Sequence, residues 1–460
     1  MNRLERMNEK SVNTALFWLS APAVVGLLIQ TLYGIVDSIF VGHGLGEFGI
    51  LGLSALTVAF PVSHLLLSVA SGVAVGGSSY ISRRMGSKDK ANVKKGIGNM
   101  IALALLASVV CTVLGLIFLD PVLKIFGANE NVLPFAHDYV YWIVLGCVFQ
   151  ILAVTINAVV MAQGHSLYSM GMYATSSVCN VFLDYVFIFE FEWGISGAAI
   201  ATVLSQMLNV LVLIYYLYRV SKLDFSWRWI SFDFNIAREM IQVGVSEFIR
   251  ESSLVFMFII VNFNLNIYGE NESSIAIFGL INRIFGFVVL PVMGIVQGMI
   301  PLSGYNYGAK NYARVREIFK TAVYGALLFS FLLGALSYIF TAEIFALFTT
   351  DAAVIQEGVI AYWIADVSIP IVAFQIIGSA LMQALGNARA SFILTMARQV
   401  FILPVLAVIP YLMGLVGVWV AFPVVDVMAG LLTLWFVVRQ LRSLKAEEKI
   451  HAASANANVF

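Results

Sequence analysis

The chain has 460 residues, of which 60% are apolar and 11% charged, and its twenty-six lysines and arginines balance twenty-six aspartates and glutamates. A water-facing surface needs more polar groups than that, so a soluble globular domain is excluded and a lipid bilayer is the expected solvent. With no net charge, nothing in the overall balance points to nucleic acid or to an acidic partner.

A hydrocarbon layer of about 30 Å is crossed by about 20 apolar residues in a helix. On that length the chain divides into twelve predicted spans, near 14–42, 48–81, 96–119, 133–162, 167–189, 194–218, 237–268, 273–303, 318–341, 354–386, 391–412 and 414–438. The apolar runs are continuous, whereas the strands of a membrane barrel alternate every second residue, so helices are expected. The chain opens on Arg3, Glu5, Arg6, Glu9 and Lys10, and no small-residue cleavage site follows the first apolar run. That first helix is expected to stay in the protein. Cys111, Cys147 and Cys179 all fall within spans, without metal-ligand spacing, and read as small packing residues.

Orientation follows from the basic residues between the spans. Arg83, Arg84, Lys88, Lys90, Lys94 and Lys95 separate spans two and three, and Arg219, Lys222, Arg228 and Arg238 surround the connection of six and seven. Lys310, Arg314, Arg316 and Lys320 follow span eight, Arg389 follows ten, and the two ends carry Arg3, Arg6, Lys10, Arg439, Arg442, Lys445 and Lys449. All of these loops lie on one side. Those on the other side carry Glu47, Asp120, Glu130, Glu190, Glu192, Glu270, Glu272, Glu343 and Asp351, with Lys124 their one basic residue. By the positive-inside rule both termini are expected in the cytoplasm. Arg250, Arg283 and Arg398 lie inside spans, where a charge needs a partner.

The second half echoes the first. Met85 to Val93 (MGSKDKANV) has its counterpart in Tyr307 to Val315 (YGAKNYARV), 222 positions on. Gly164 matches Gly386 at the same offset, and Gly194-Ile195-Ser196-Gly197 matches Gly414-Leu415-Val416-Gly417 at 220. An offset of six helices gives both halves the same orientation, related by a pseudo-twofold axis along the membrane normal. The expected organisation is a cytoplasmic tail over 1–13, a first six-helix lobe over 14–218, a linker over 219–236, a second lobe over 237–438 and a tail over 439–460.

These residues resemble the multidrug and toxic compound extrusion (MATE) family: Leu32-Tyr33-Gly34-Ile35-Val36-Asp37 in span one, Asn180-Val181-Phe182-Leu183-Asp184 in span five, and Gly304-Tyr305-Asn306-Tyr307-Gly308-Ala309 after span eight. The resemblance covers nearly the whole chain. It implies an all-α, two-lobe inner-membrane exporter of cationic or amphipathic small organic compounds, driven by exchange for Na+ or H+. No cofactor other than that coupling ion is implied. A flippase for lipid-linked precursors, built on the same architecture, is the second reading.

Asp37 lies mid-span, where a lone carboxylate must meet a cation, a proton or hydrogen-bond donors. Gln30, two helical turns earlier, shares its face, and Asn180 and Asp184 share a face of span five. The resemblance assigns Asp37, Asn180 and Asp184 to cation coupling, with Asn157 and Thr202 beside them. Carboxylate, amide and hydroxyl oxygens suit Na+, and the two carboxylates would equally serve a shared proton. A polar contact that only packs the lobe is the alternative for each.

At offset 220, Asn180 and Asp184 land on Val400 and Pro404, so the cluster is not duplicated. The second half instead carries Glu247, Arg250, Glu251, Arg283, Asp366, Arg398 and Asp426 within its spans. The resemblance implies a possible ion site of Glu247 or Glu251 with Asp366 and Tyr362. The arginines argue instead for a buried ion-pair network. His64 and His43 are open to a proton relay or to plain hydrogen bonding. The sequence has no Gly-x-x-x-x-Gly-Lys-Ser/Thr run and no His-Glu-x-x-His, and its loops are short. Neither ATP-driven pumping nor enzymatic catalysis is expected, and a monomer in the membrane is assumed.

Overall fold

The computed structural model describes residues 9–45, 48–221, 226–269, 273–348 and 351–457. Arg3, Glu5, Arg6, Glu47, Lys222, Glu270 and Glu272, named above, lie outside the described residues. Among those described, the chain is helical and contains no strand.

The elements in order are α1 (Val12–Gly44), α2 (Gly49–Gly86), α3 (Lys90–Ile117), the short α4 (Leu119–Ile125), α5 (Leu133–Ala162), α6 (Ser166–Tyr185) and α7 (Gly194–Tyr215). A 3-10 turn (Trp227–Trp229) leads to α8 (Phe234–Tyr268), α9 (Ser273–Gly308), α10 (Tyr312–Ile339), the short α11 (Thr341–Ala346), α12 (Ala352–Ala365), α13 (Ile369–Ala384) and α14 (Ala388–Ala457). Single π-helical turns, Val186–Glu190 and Tyr216–Val220, extend α6 and α7.

Nine of the described helices are long and apolar enough to cross a membrane, and α12 with α13 makes a tenth span bent by 47°. Two features reconcile these ten with the twelve spans read from the sequence. α14 is broken at Gly414, whose φ of 60° is left-handed, so it contributes two spans. α8, 35 residues long, carries its charges Arg238, Glu239, Glu247, Arg250 and Glu251 in its first half and an apolar stretch that includes Ile259–Tyr268 in its second, and supplies the remaining span. Span ten, expected as one run over 354–386, is instead interrupted at Asp366–Ser368. Pro370, at the start of α13, has no N–H to continue the helix and disfavours helical backbone at the residue before it.

The repeat is written in the backbone as well as in the letters. Lys88 and Lys310 both take φ 59°, Gly164 and Gly386 take 81° and 74°, and Gly194 and Gly414 take 57° and 60°. Asp89 caps α3 by accepting the N–H of Asn92, and Asn311, 222 positions on, caps α10 by accepting that of Arg314. The short helices α4 and α11 also begin 222 positions apart.

The chain divides into two compact units, one holding Val25–Ser252 and the other Asn8–Val24 with Ser253–Phe460. The first half of α8 therefore packs with the first unit and the first half of α1 with the second. Glycines make both attachments. In the first unit, a Cβ on Gly76 of α2 would lie 2.1 Å from the carbonyl oxygen of Met240, and one on Gly244 of α8 would lie 2.2 Å from that of Gly72. In the second, a Cβ on Gly294 of α9 would meet Val24 at 2.2 Å and one on Gly298 would meet Ser20 Oγ at 2.5 Å. Gly72 and Gly76 precede Gly294 and Gly298 by 222 positions, so the repeat uses one small-xxx-small seam twice. Replacing Gly244 by Val should lower stability by about 1–3 kcal/mol or more through overpacking. The check is a reduced thermal midpoint and a reduced monodisperse yield in detergent.

The connection between the halves is anchored on the first unit. A Cβ on Gly98 of α3 would lie 1.7 Å from the carbonyl oxygen of Trp229, and Asn99 Nδ2 donates to the carbonyl of Asp233 at 2.9 Å. Arg83 and Arg84 of α2 both reach Glu239 of α8, at 2.9 and 3.6 Å. The apolar core of this unit is centred on α2, α5 and α7, around Ala55, Ala59, Val140, Val144, Ile151 and Ala198.

Candidate functional site

Four helices of the first unit bring polar groups into its apolar interior. α1 contributes Tyr33 and, one turn later, Asp37. α5 contributes Tyr139 and Asn157, α7 contributes Thr202, and α6 contributes Tyr173, Asn180 and Asp184 at spacings of seven and four that keep them on one face. Asp184 is fully buried, and Asn180, Asn157 and Asp37 are 1%, 6% and 8% exposed. Asp184 lies within electrostatic reach of Asp37, and both aspartates lie within reach of Tyr33 and Tyr139.

The few hydrogen bonds here spend the donors and leave the acceptors. Asn157 Nδ2 donates to Tyr173 Oη at 3.1 Å, and Asn180 Nδ2 reaches Thr202 Oγ1 at 3.4 Å. Both oxygens of Asp184, Oδ1 of Asp37 and the amide oxygens of Asn157 and Asn180 are buried without a hydrogen-bond donor. Buried acceptors are ordinarily paired, so five orphans within one set of residues need an explanation. All five are hard oxygens, suited to a small cation or to protons. Among the described residues no three His, Cys, Asp or Glu side chains converge as a metal site, so the chemistry here is that of two carboxylates and two amides.

Of the residues singled out from the sequence, Asp37, Asn157, Asn180, Asp184 and Thr202 are all found in the first unit around this interior. Gln30 is half-buried and shares none of its hydrogen bonds. Tyr33, Tyr139 and Tyr173 were not singled out. Their signal was spacing alone, Tyr33 one turn before Asp37 and Tyr173 two turns before Asn180, and nothing separates such tyrosines from ordinary membrane aromatics.

A second network lies in the second unit. Arg398 Nε donates to Asp426 Oδ1 at 2.8 Å, Ser368 Oγ donates to Asp426 Oδ2 at 2.6 Å, and Gln375 donates to the Asp426 carbonyl at 2.8 Å. Asp366, 9% exposed, lies within electrostatic reach of Asp426 and Arg398, and its Oδ2 has no donor. The break between α12 and α13 puts Asp366 and Ser368 at adjoining helix ends, which aims both into this network. Tyr362 is fully buried, with its hydroxyl 2.6 Å from Ser337 Oγ. Arg283 is exposed, and its guanidinium lies 5.9 Å from the Phe348 ring centroid.

The third network sits on α8 within the first unit. Arg250 is held by Glu247, at 3.1 Å through Nε and 2.5 Å through Nη2, and by Glu251. His64 Nδ1 of α2 is 4.0 Å from Glu251. Glu247 and Glu251 in the first unit and Asp366 in the second each lie near an arginine of their own unit, Arg250 and Arg398. Glu247, Glu251 and Asp426 are met by a guanidinium, whereas Asp366 Oδ2 has no donor.

Comparison with known proteins agrees with this architecture. A family model, MatE, matches residues 22–186 and 248–409. The multidrug export protein MepA of Staphylococcus saprophyticus is 25% identical over 449 residues, spanning 97% of this chain and 98% of that protein. A solved structure of MATE in its bent conformation superposes with a TM-score of 0.90 at 24% identity, covering 98% of this chain and all of that one. The outward-facing structure of a multidrug resistance MATE family transporter of the MOP superfamily also gives a TM-score of 0.90, at 25% identity over 97% of this chain and 99% of that one.

Proposed function

Because the chain belongs to the MATE family, we propose that it is a secondary antiporter that exports cationic or amphipathic small organic compounds in exchange for Na+ or H+ across the cytoplasmic membrane, both termini being cytoplasmic. The observation that carries this reading is the set of five buried acceptor oxygens without donors around Asp37 and Asp184. A cation or protons arriving there would satisfy them.

The resulting mechanism is one of exclusive preference. A cation that binds Asp37, Asp184 and the Asn180 amide oxygen favours the state in which those oxygens can close around it, and the organic compound favours the other. Each ligand then shifts the population toward release of its counterpart, and coupling needs no direct contact between them. Two carboxylates in an apolar lobe also favour a cationic cargo over the anionic precursor that a flippase would carry.

The test is accumulation of a fluorescent cationic dye in everted vesicles containing the protein, with sodium and proton gradients imposed separately. Accumulation under one gradient, abolished by collapsing it, is the expected result and identifies the driving ion. No accumulation under either, from vesicles shown to contain folded protein, would overturn the proposal.

A further inference from the structure

The first unit also carries a crevice between α3, α5 and α7. Its walls are Ile101 and Leu105 of α3, Leu152 and Ile156 of α5, Val210 and Ile214 of α7 and Leu217 of the π-helical turn that extends α7, and its volume is about 180 Å³. No polar side chain lines it. A pocket for a drug-sized molecule is typically about 300–1,000 Å³ and includes a few placed polar groups, so this crevice fits neither the size nor the chemistry of the exported compounds. It does fit part of a hydrocarbon chain.

Positive charge stands beyond one end of the crevice, past the contact of Gly98 with Trp229. Lys94, Gly98, Ile101 and Leu105 succeed one another at four, three and four residues, which places them in one row along α3. At 1.5 Å per residue, Lys94 stands about 10 Å beyond Ile101 along the helix axis. α3 has 28 residues and a hydrocarbon core takes about 20 of them, so Lys94 falls in the headgroup layer when Ile101 is just inside the hydrocarbon. The row is roofed at Gly98 by the backbone of Trp229, and the Lys94 ammonium lies 4.7 Å from the centroid of the Trp229 indole. Arg228, the preceding residue of the same 3-10 turn, is exposed, as is Lys95. An interfacial tryptophan flanked by two or three cations, above an apolar slot that opens toward lipid, matches one ligand in both of its parts.

We propose that this crevice binds an anionic phospholipid from the leaflet bordering the basic loops, with an acyl chain between α3, α5 and α7 and its phosphate at Lys94 and Arg228. The lipid is a resident structural ligand and is distinct from the cargo. It ties the connection between the two halves, through the Trp227–Trp229 turn, to the α3 end of the first unit. Charge complementarity selects the anionic headgroup, with each lysine or arginine near the surface contributing about 1 kcal/mol toward it. The apolar slot selects a chain-bearing molecule over a free phosphate.

The test uses the full-length protein in a neutral detergent and follows its thermal midpoint against added lipid. Dioleoyl phosphatidylglycerol should raise the midpoint saturably, whereas dioleoyl phosphatidylcholine and glycerol phosphate should not. Replacing Lys94 and Arg228 together by Ala should weaken the apparent affinity for phosphatidylglycerol roughly thirtyfold, as loss of two such cations implies. Leu105→Trp, which fills the slot, should abolish the response while keeping a cooperative transition. A Lys88→Ala, Lys90→Ala control, altered in the same loop but outside the row, should respond like the parent protein. Equal responses to the two phospholipids, an equal response to glycerol phosphate, or equal losses in the control and in the Lys94, Arg228 variant would each overturn the proposal.

Discussion

Replacing Asp184 by Asn should reduce gradient-driven dye accumulation in everted vesicles by at least about a hundredfold while leaving the thermal midpoint unchanged or higher. The two halves of that expectation come from one observation. Both oxygens of Asp184 are buried with no donor, so a charge on it would be uncompensated by the described residues. An isosteric amide removes that charge, and its NH2 can donate where the carboxylate could only accept, for instance toward the orphan oxygen of Asn180 one turn away. Folding should therefore not suffer. Transport should, because a driving cation loses a full negative charge from a low-dielectric site and a driving proton loses its acceptor. Asp37→Asn should behave alike, with a smaller effect on the midpoint because Asp37 presents one orphan oxygen and Asp184 two. If these residues only packed the lobe, the pattern would reverse, with a lowered midpoint and efflux retained in proportion to folded protein. An Asp184→Asn protein that keeps one tenth of parental efflux would sink the coupling role.

Much of the fold was legible in the sequence because its two strongest signals survive without tertiary knowledge. Apolar runs of bilayer length mark spans, and the loop after span two recurs after span eight with Lys88 and Lys310 in the same left-handed backbone. What was not legible depends on contacts that carry no periodicity. Met240, Gly244 and the first turns of α8 read as the start of the second half, yet the glycines of α2 draw them into the first unit. Gly72 and Gly76 look like any other small residues until the carbonyl of Met240 is seen lying where a Cβ would be. Residues 14–24 read likewise as the start of the first half and pack instead at Gly294 and Gly298. The same limit applies to the sites. Buried carboxylates announce themselves by their cost, so Asp37 and Asp184 stood out. Their tyrosine neighbours did not, because a tyrosine in a membrane helix is ordinary until its position is known. The break at Asp366–Ser368 was signalled by Pro370, but prolines occur in many of the other spans, and α9 carries two without a break of its own.

Arg398→Ala should be the most damaging single change in the second unit, with a loss of about 3–5 kcal/mol, the range expected when one partner of a buried ion pair is removed. Asp426 is 2% exposed and its two carboxylate oxygens are met by Arg398 and Ser368. Without the guanidinium, Asp426 would keep the Ser368 hydroxyl as donor to one oxygen, and it would lie within electrostatic reach of Asp366 with Arg398, the cation that acts on Asp366, removed. The thermal midpoint in detergent at neutral pH measures this loss. The same variant also separates the two readings of the network. If Arg398 is a structural counter-ion, sodium should leave the midpoint of the parent protein unmoved, because the carboxylate is already paired. Arg398→Ala then leaves two carboxylates and the Ser368 hydroxyl, a set of hard oxygens close to what a small cation requires, and sodium should restore part of the lost stability where the larger tetramethylammonium at equal ionic strength does not. A parent protein that is itself stabilised by sodium in preference to tetramethylammonium, with that response lost in Asp366→Asn and kept in Asp184→Asn, would instead identify the network as an ion site in use. The double replacement Arg398→Leu, Asp426→Leu completes the argument. If the pair is structural, removing both charges together should cost less than removing either alone, since replacing a buried pair by apolar groups is often neutral while breaking one is not.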